Sequence, residues 1–212
     1  MPTANSPDHY FTAQPASAAE RRVLRVRLSG RELELETASG IFSPDRIDDG
    51  TSVLLAEAPT PPASGNLLDI GAGWGPIALS LAMESPGATV WAVDVNDRAL
   101  DVLGRNAERL GLSNVRAVRP EQVPSELRFA EIWSNPPIRI GKAALHELLQ
   151  QWLPRLVPGA DAWLVVQKNL GADSLQRWMA ETFAPATVER AAVGMGYRVL
   201  RYTAGDEAMN RD

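Results

Sequence analysis

The sequence predicts an α/β fold, a seven-stranded, mostly parallel sheet with helices on both faces, extended at its N-terminus by a β-hairpin. Three observations predict it. From residue 66 onward, short apolar segments alternate with helical segments. A glycine-rich turn joins the first apolar segment to the first helix, and the acidic Asp94 ends the second apolar segment. Because strands that alternate with helices run parallel, a ligand would bind at their carboxyl ends.

The composition excludes several classes of protein. The 212 residues suit one domain with a modest appendage. With no cysteine and two histidines, disulfides, thiolate zinc sites and iron–sulfur clusters are excluded, and we expect no metal. No apolar run approaches the roughly 20 residues of a membrane helix, and the polar residues 1–14 lack a secretory pattern, so we expect a cytoplasmic protein. The net charge of −5 disfavours a broad basic surface for nucleic acid, although local patches decide such binding.

The domain organisation is expected to be simple. We expect a partly disordered N-terminal extension at residues 1–22, a single domain at 23–202 with its cofactor-binding core at 52–202, and a flexible tail at 203–212.

Residues 23–36 alternate apolar and charged side chains and predict a hairpin that turns at Ser29-Gly30. Its register sets arginines opposite glutamates, with Arg25 facing Glu34. Cross-strand charge pairing on a solvated face is therefore favoured over an RNA-binding arginine patch.

The core elements follow in order. Strands are predicted at residues 66–70, 89–93, 115–118, 129–134, 162–167, 187–193 and 197–202. Helices are predicted at residues 76–83, 97–110, 142–156 and 175–183. Pro76 suits a first helical turn, Asn96 is placed to cap the second helix, and Gly111 to end it. A turn at residues 194–196 closes the last strand pair.

The glycine-rich turn reads Asp69-x-Gly71-x-Gly73-x-Gly75. Glycines let the backbone adopt positive φ and approach a ligand closely. A dinucleotide fold would place its third glycine at position 76, which is proline here, and proline lacks the N–H that a pyrophosphate needs. S-adenosylmethionine (SAM) carries no phosphate and tolerates that loss.

Asp94 follows the second strand, where a carboxylate can accept hydrogen bonds from both ribose hydroxyls of a nucleoside cofactor. Dinucleotide enzymes use the same device, so Asp94 indicates an adenosine-like ligand without choosing between cofactors. The alternative is a local turn or capping residue, a role that Asp97 would fill more naturally.

Ser134-Asn135-Pro136-Pro137 follows the fourth strand. The Asn135 side-chain oxygen and the Pro136 carbonyl can each accept one N–H from a planar amine and turn its delocalised lone pair toward a methyl donor. Prolines would hold these acceptors in place. The alternative is an ordinary Asn-Pro turn. The position of the motif, one strand beyond the glycine turn and Asp94, favours a catalytic role for Asn135, Pro136 and Pro137.

In this combination the sequence resembles the class I, Rossmann-like SAM-dependent methyltransferases of the small-subunit rRNA guanine-N2 (small-domain) type. The resemblance covers about residues 9–202. Its motifs are His9-Tyr10-Phe11, Gly40-Ile41-Phe42-Ser43-Pro44-Asp45, Asp48-x-Gly50-Thr51, the glycine turn, Asn135-Pro136-Pro137-Ile138-Arg139-x-Gly141-Lys142, Gln167-Lys168-x-x-Gly171-Ala172 and Gly196-Tyr197-Arg198-Val199-Leu200.

The resemblance implies a SAM site, a target amine and a partner. The residues implied in cofactor binding are Thr51, Asp69, Gly71, Ala72, Gly73, Asp94, Val95 and Asn135. Residues 48–51 would lie over the cofactor. Guanine N2 of 16S rRNA is the implied target, with rRNA or the small ribosomal subunit as partner.

Two departures from the family pattern concern the base and the adenine. Many amine methyltransferases follow Asn-Pro-Pro with an aromatic residue that stacks on the base, where this chain has Ile138, so stacking would come from Phe42 or Trp74. The acidic residue expected after the third strand is represented only by Glu121. The residues expected to bind substrate are Ile138, Arg139, Lys142, Phe42 and Arg46, with Lys168 on a neighbouring loop.

Other functions remain open at this point. The same acceptors suit a protein glutamine amide or a small-molecule amine, and the acidic net charge fits such substrates. A non-catalytic SAM-binding assembly module would not need Asn135-Pro136-Pro137. Pro76 disfavours a dehydrogenase.

Overall fold

The computed structural model describes residues 20–205. Strands β1 (Arg21–Leu28) and β2 (Arg31–Ala38) form the N-terminal hairpin, which is two residues longer at each end than expected. The register is as predicted, with Arg25 paired to Glu34 at 2.9 Å. The expectations of disorder before residue 23 and after residue 202 fall mostly outside the described residues.

Five helices and seven further strands complete the described chain. In order they are α1 (Asp49–Glu57), β3 (Ser64–Ile70), α2 (Pro76–Glu84), β4 (Gly87–Val93), α3 (Asp97–Arg109), β5 (Val115–Val118), β6 (Phe129–Ser134), α4 (Lys142–Trp152), β7 (Leu156–Gln167), α5 (Ala172–Thr182), β8 (Thr187–Gly194) and β9 (Tyr197–Thr203). The strands form one seven-stranded sheet in the order β5-β4-β3-β6-β7-β9-β8. Six of these strands run in one direction and only β9, between β7 and β8, runs in the opposite direction, which confirms the predicted fold class.

Helix α1 and the bounds of three other elements differ from the sequence-based prediction: α4 ends early, β7 begins at Leu156 rather than at residue 162, and α5 begins at Ala172 rather than at residue 175. Helix α1 was not predicted, although Asp48 caps its first turn by accepting the N–H groups of Gly50 and Thr51. Helix α4 ends at Trp152 rather than at residue 156, because Pro154 cannot continue a helix and a short 3-10 turn leads directly into β7.

The two sheet faces bury separate clusters of apolar side chains. Leu149 and Trp152 of α4 pack with Met179 of α5 on one face. On the other face, Leu54 of α1 packs with side chains of α2 and α3. The hairpin contributes to a third cluster against α2 and α3. Within residues 20–205, no helix is long and apolar enough to cross a membrane.

The strand order reverses direction between β3 and β6. From β3 the chain proceeds to β4 and β5 on one side, and β6 then begins the other side. Loops leaving the two strands therefore diverge and open a crevice at their carboxyl ends. Both the glycine turn and Asn135-Pro136-Pro137 leave the sheet at this crevice.

Candidate active site

A cavity of about 320 Å³ occupies the crevice at the carboxyl ends of the strands. Gly71, Asp94 and Asn135 line it and follow β3, β4 and β6 respectively. The structure thus brings together the three features on which the sequence-based prediction depends.

The glycine turn passes close to neighbouring side chains. Gly71 has φ 76°, lines the cavity, and a Cβ there would lie 3.9 Å from Pro137 Cδ. Any longer side chain at Gly71 would enter the space between the two motifs. Gly75 has φ 103°, and its Cβ would lie 2.9 Å from Leu103 Cγ, so glycine allows α2 to begin beside α3.

Asp94 joins the glycine turn to the end of β4. Its Oδ2 accepts the Gly73 N–H at 2.8 Å, and its Oδ1 accepts the Asn96 N–H at 2.9 Å. Burial raises the pKa of this carboxyl, while the N–H groups of Asn96 and Gly73 oppose the shift. Each carboxylate oxygen keeps a second lone pair that can accept a ribose hydroxyl. The cap of α3 is Asn96, so Asp94 is not its cap.

Asp69 lies beneath the turn and is fully buried. Its Oδ2 accepts the Ala78 N–H at 3.0 Å and thereby anchors the first turn of α2, and its Oδ1 has no partner among residues 20–205. Burial raises the pKa of Asp69 to about 8; the Ala78 N–H opposes this and the charge of Asp94 adds to it. At neutral pH the group is therefore mostly uncharged. Three residues expected to bind the cofactor do not line the cavity: Asp69 lies beneath the turn, and Ala72 and Gly73 form part of it.

The end of β4 offers an apolar surface that fits a planar base. Val95 and Phe42 are 42% and 36% exposed, and both line the cavity together with Ala99 and Pro120. With the Asp94 carboxylate beside them, these residues fit a nucleoside. Glu121 is not brought into the cavity lining: it is exposed, and Arg119 lies 3.8 Å from it.

Asn135 lines the cavity, and two neighbouring side chains hold its amide nitrogen. Its Nδ2 donates to Asp48 Oδ2 at 2.8 Å and to Thr51 Oγ1 at 3.0 Å. No hydrogen bond from a described residue reaches Asn135 Oδ1. Thr51 is 3% exposed and contacts Asn135 from behind, outside the cavity lining.

The Pro136 carbonyl is the second acceptor. It accepts the Ile138 N–H at 2.8 Å across Pro137, whose φ of −73° and ψ of 76° define an inverse γ-turn. One lone pair of the carbonyl remains for an incoming N–H. Both acceptors proposed from the sequence are thus present on one edge of the cavity.

The remaining walls contain residues whose roles the sequence did not reveal. Leu148 and Trp152 of α4 lie on one side beside Ile138, and Gln167 and Tyr197 lie on another. Gln167 and Tyr197 belong to motifs that carry the family resemblance, but the sequence analysis predicted no function for either residue. The sequence of α4 predicted only a helix, so it could not reveal that Leu148 and Trp152 line the cavity.

The residues expected to bind substrate are only partly gathered at the cavity. Phe42 and Ile138 line it, whereas Lys142 is exposed at the start of α4. Arg46 is exposed and lies 3.6 Å from Asp49. Stacking by Trp74 is wrong, because this side chain is 2% exposed and its indole donates to the Ser43 carbonyl at 3.1 Å.

This strand order, with a cavity at the reversal point lined by the glycine turn, Asp94 and Asn135-Pro136-Pro137, is that of a Rossmann-like SAM-dependent methyltransferase. The model of the methyltransferase small domain family matches residues 32–201, and the chain belongs to that family. SAM is accordingly its cofactor.

Individual relatives match different shares of the chain. The uncharacterized protein YbxB of Bacillus subtilis is 33% identical over 92% of this chain and 97% of its own length. The ribosomal RNA small subunit methyltransferase C of Enterobacter sp. is 32% identical over 81% of this chain, which spans only 46% of that relative. The structure of the Thermus thermophilus 16S rRNA N2 G1207 methyltransferase (RsmC), in complex with AdoMet and guanosine, superposes with a TM-score of 0.75 at 25% identity, covering 90% of this chain and 52% of that one.

Proposed function

We propose that this protein methylates an exocyclic amine of RNA, with guanine N2 of 16S rRNA as the target. The observation that carries the proposal is the cavity-lining Asn135, whose amide nitrogen is committed to Asp48 and Thr51 while its oxygen accepts no hydrogen bond from a described residue. The names of the ribosomal RNA methyltransferase relatives support an rRNA substrate. The Thermus thermophilus structure, which is named for N2 of G1207 and contains a bound guanosine, supports the choice of base. An rRNA substrate places the reaction in the cytoplasm.

Two acceptors are what this substrate requires. A guanine N2 amine has two N–H groups and a lone pair delocalised into the ring. Asn135 Oδ1 and the Pro136 carbonyl would each accept one N–H, which rotates the lone pair out of conjugation and aims it across the cavity. Bound SAM supplies the electrophilic methyl group there. The nitrogen becomes acidic on methylation and loses its proton afterwards, so no strong base is needed.

The base would enter beside Ile138, whose aliphatic side chain offers contact without aromatic stacking. Arg139 and Lys142 follow directly in sequence, and we propose that they contact phosphates at the rim of the cavity, with Arg46 as a more distant candidate.

Transfer of labelled methyl groups from SAM tests the target directly. Naked 16S rRNA, small ribosomal subunits and total protein are offered separately, and labelled RNA is digested to nucleosides. We expect label in N2-methylguanosine. Label in protein alone would contradict the proposal and favour a glutamine amide, which the same two acceptors could hold.

Replacing Asn135 separates chemistry from cofactor binding. Asn135→Ala removes one acceptor of the target amine and should lower kcat by about 100-fold or more, while the dissociation constant for SAM stays nearly unchanged. Gln151→Ala, on the exposed face of α4, is the control and should retain full activity. Turnover of Asn135→Ala at the parental rate would disprove the assigned role.

A further inference from the structure

We propose that Asp48 is a positioning residue for methyl transfer, acting through Asn135. Its carboxylate holds the Asn135 amide in the one orientation that presents an acceptor to the target amine, and it strengthens that acceptor. The inference rests on the proposed function, because it assumes that Asn135 receives the amine.

The orientation follows from the chemistry of the partner. An ionised carboxylate only accepts hydrogen bonds, so the Asn135 atom 2.8 Å from Asp48 Oδ2 is the amide nitrogen. Thr51 Oγ1, 3.0 Å away, takes the second hydrogen of the same nitrogen. Both amide hydrogens are therefore committed, and the oxygen is directed away from them. A flipped Asn135 amide would set its oxygen against the Asp48 carboxylate. It would also present N–H groups to the N–H groups of the target amine.

The Asp48 Oδ2 atom that binds Asn135 also holds the first turn of α1. Asp48 Oδ2 accepts the Gly50 N–H at 2.8 Å and the Thr51 N–H at 3.3 Å, in addition to the Asn135 amide. Its position is set by the backbone of a nine-residue helix rather than by a flexible loop. Asp48 thus places Asn135 relative to a fixed element of the fold.

Asp48 itself lines the cavity, and glycine is needed beside its carboxylate. A Cβ at Gly50 would lie 3.0 Å from Asp48 Oδ2 and 2.8 Å from Tyr197 Cε1, so a side chain there would displace the carboxylate or Tyr197. Thr51 is 3% exposed. A negative charge behind the amide nitrogen polarises the amide and makes Asn135 Oδ1 a better acceptor as the amine gains positive charge.

Two substitutions divide the roles of Asp48. Asp48→Ser keeps a side chain that caps helices well but is too short to span the contact to Asn135. Asp48→Asn keeps both the cap and an acceptor for Asn135 while removing the charge. We expect kcat to fall about 10- to 100-fold in Asp48→Ser and by less in Asp48→Asn, with the dissociation constant for SAM unchanged in both. Asp101→Ser, on α3 and 48% exposed at its side chain, is the control and should retain activity because Asp101 lies outside the cavity lining.

A double-mutant cycle distinguishes positioning from general damage to the fold. If Asp48 acts through Asn135, adding Asp48→Ser to Asn135→Ala should cost no further activity. Additive losses would overturn the proposal, as would a changed SAM affinity that accounts for the lost activity.

NMR of the Asn135 side-chain amide tests the contact without any substrate. In the parental full-length protein its hydrogens should be protected from exchange, and Asp48→Ser should remove the protection while Asp101→Ser leaves it. Absent protection in the parental protein overturns the inference. If protection is seen but neither rRNA nor subunits are methylated, the proposed function fails and the amide contact stands.

Discussion

At the scale of single residues, Glu131 is the most unusual group outside the active site. It is 5% exposed within β6, and its two carboxylate oxygens accept the indole N–H groups of Trp133 at 2.8 Å and Trp163 at 3.0 Å. Burial raises its pKa to about 7, the two indoles lower it, and Asp161 raises it again. The two tryptophans therefore hold a buried acid at the junction of β6 and β7.

Glu131 should make stability depend on pH. Its folded pKa of about 7 exceeds the ordinary value of 4.5. Between these values the unfolded chain has lost the proton that the folded protein keeps, so stability falls as pH rises from 4.5 to 7 and then levels off. We expect Glu131 to contribute about 1–3 kcal/mol to this fall.

Urea unfolding at pH 5 and pH 8 measures the effect. Glu131→Gln cannot titrate and should lose less stability across this range than the parental protein. The exposed Glu121→Gln is the control and should follow the parental curve. Parallel curves for Glu131→Gln and the parental protein would show that the carboxyl titrates normally.

At the scale of elements, Asn106 holds the hairpin to the domain. It is fully buried on α3; its Oδ1 accepts the Glu36 N–H at 2.7 Å, and its Nδ2 donates to the Glu36 and Trp74 carbonyls at 2.9 and 3.1 Å. One side chain thus joins β2, α3 and the glycine turn.

Removing this side chain should release the hairpin. Asn106→Ala leaves three backbone groups without partners and should lower the free energy of unfolding by roughly 2–4 kcal/mol. Hydrogen exchange should show faster exchange in β1 and β2 than in β3 and β6. Arg105→Ala, which loses only an exposed pair with Asp101, should change little. Uniformly faster exchange across the sheet would contradict the local role.

Secondary structure was predictable where the sequence pattern is strong. Strands β5 and β6 lie where their apolar runs predicted them. Helix α1 escaped prediction because its apolar residues are few and its cap, Asp48, was assigned only a place over the cofactor. The end of α4 escaped because the apolar pattern continues past Pro154 into β7.

At the scale of the whole molecule, charge limits how the proposed RNA substrate could be held. The chain carries a net charge of −5, and the hairpin arginines face glutamates, as in the pair of Arg25 with Glu34. Few phosphates can therefore be neutralised, and we expect affinity for 16S rRNA to depend only weakly on salt.

The double variant Arg139→Ala, Lys142→Ala tests where those contacts lie. It should weaken RNA binding and lower the slope of log affinity against log salt by about one for each residue. The control is Arg25→Ala, Arg27→Ala on the hairpin, which should bind as the parental protein does. Equal affinities for the two double variants would place the contacts elsewhere.

The parts of the site that consist of short sequence motifs were predictable. A glycine turn, an acidic strand end and Asn-Pro-Pro each lie within a few residues, and the parallel sheet brings their loops to one edge. Contacts between distant segments were not predictable. Asp48 and Asn135 are 87 positions apart, and Glu131 and Trp163 are 32 apart, so no local spacing indicates either pair.

Asp48 Oδ2, which binds both the first turn of α1 and Asn135, has a consequence for the evolution of this chain. Most enzymes can lose a catalytic group and keep their architecture, and so survive as inactive descendants. Here the atom that orients the amide also begins a helix. A lineage that abandoned the chemistry would still be selected to keep an acceptor at position 48, and could regain activity by restoring a single side chain.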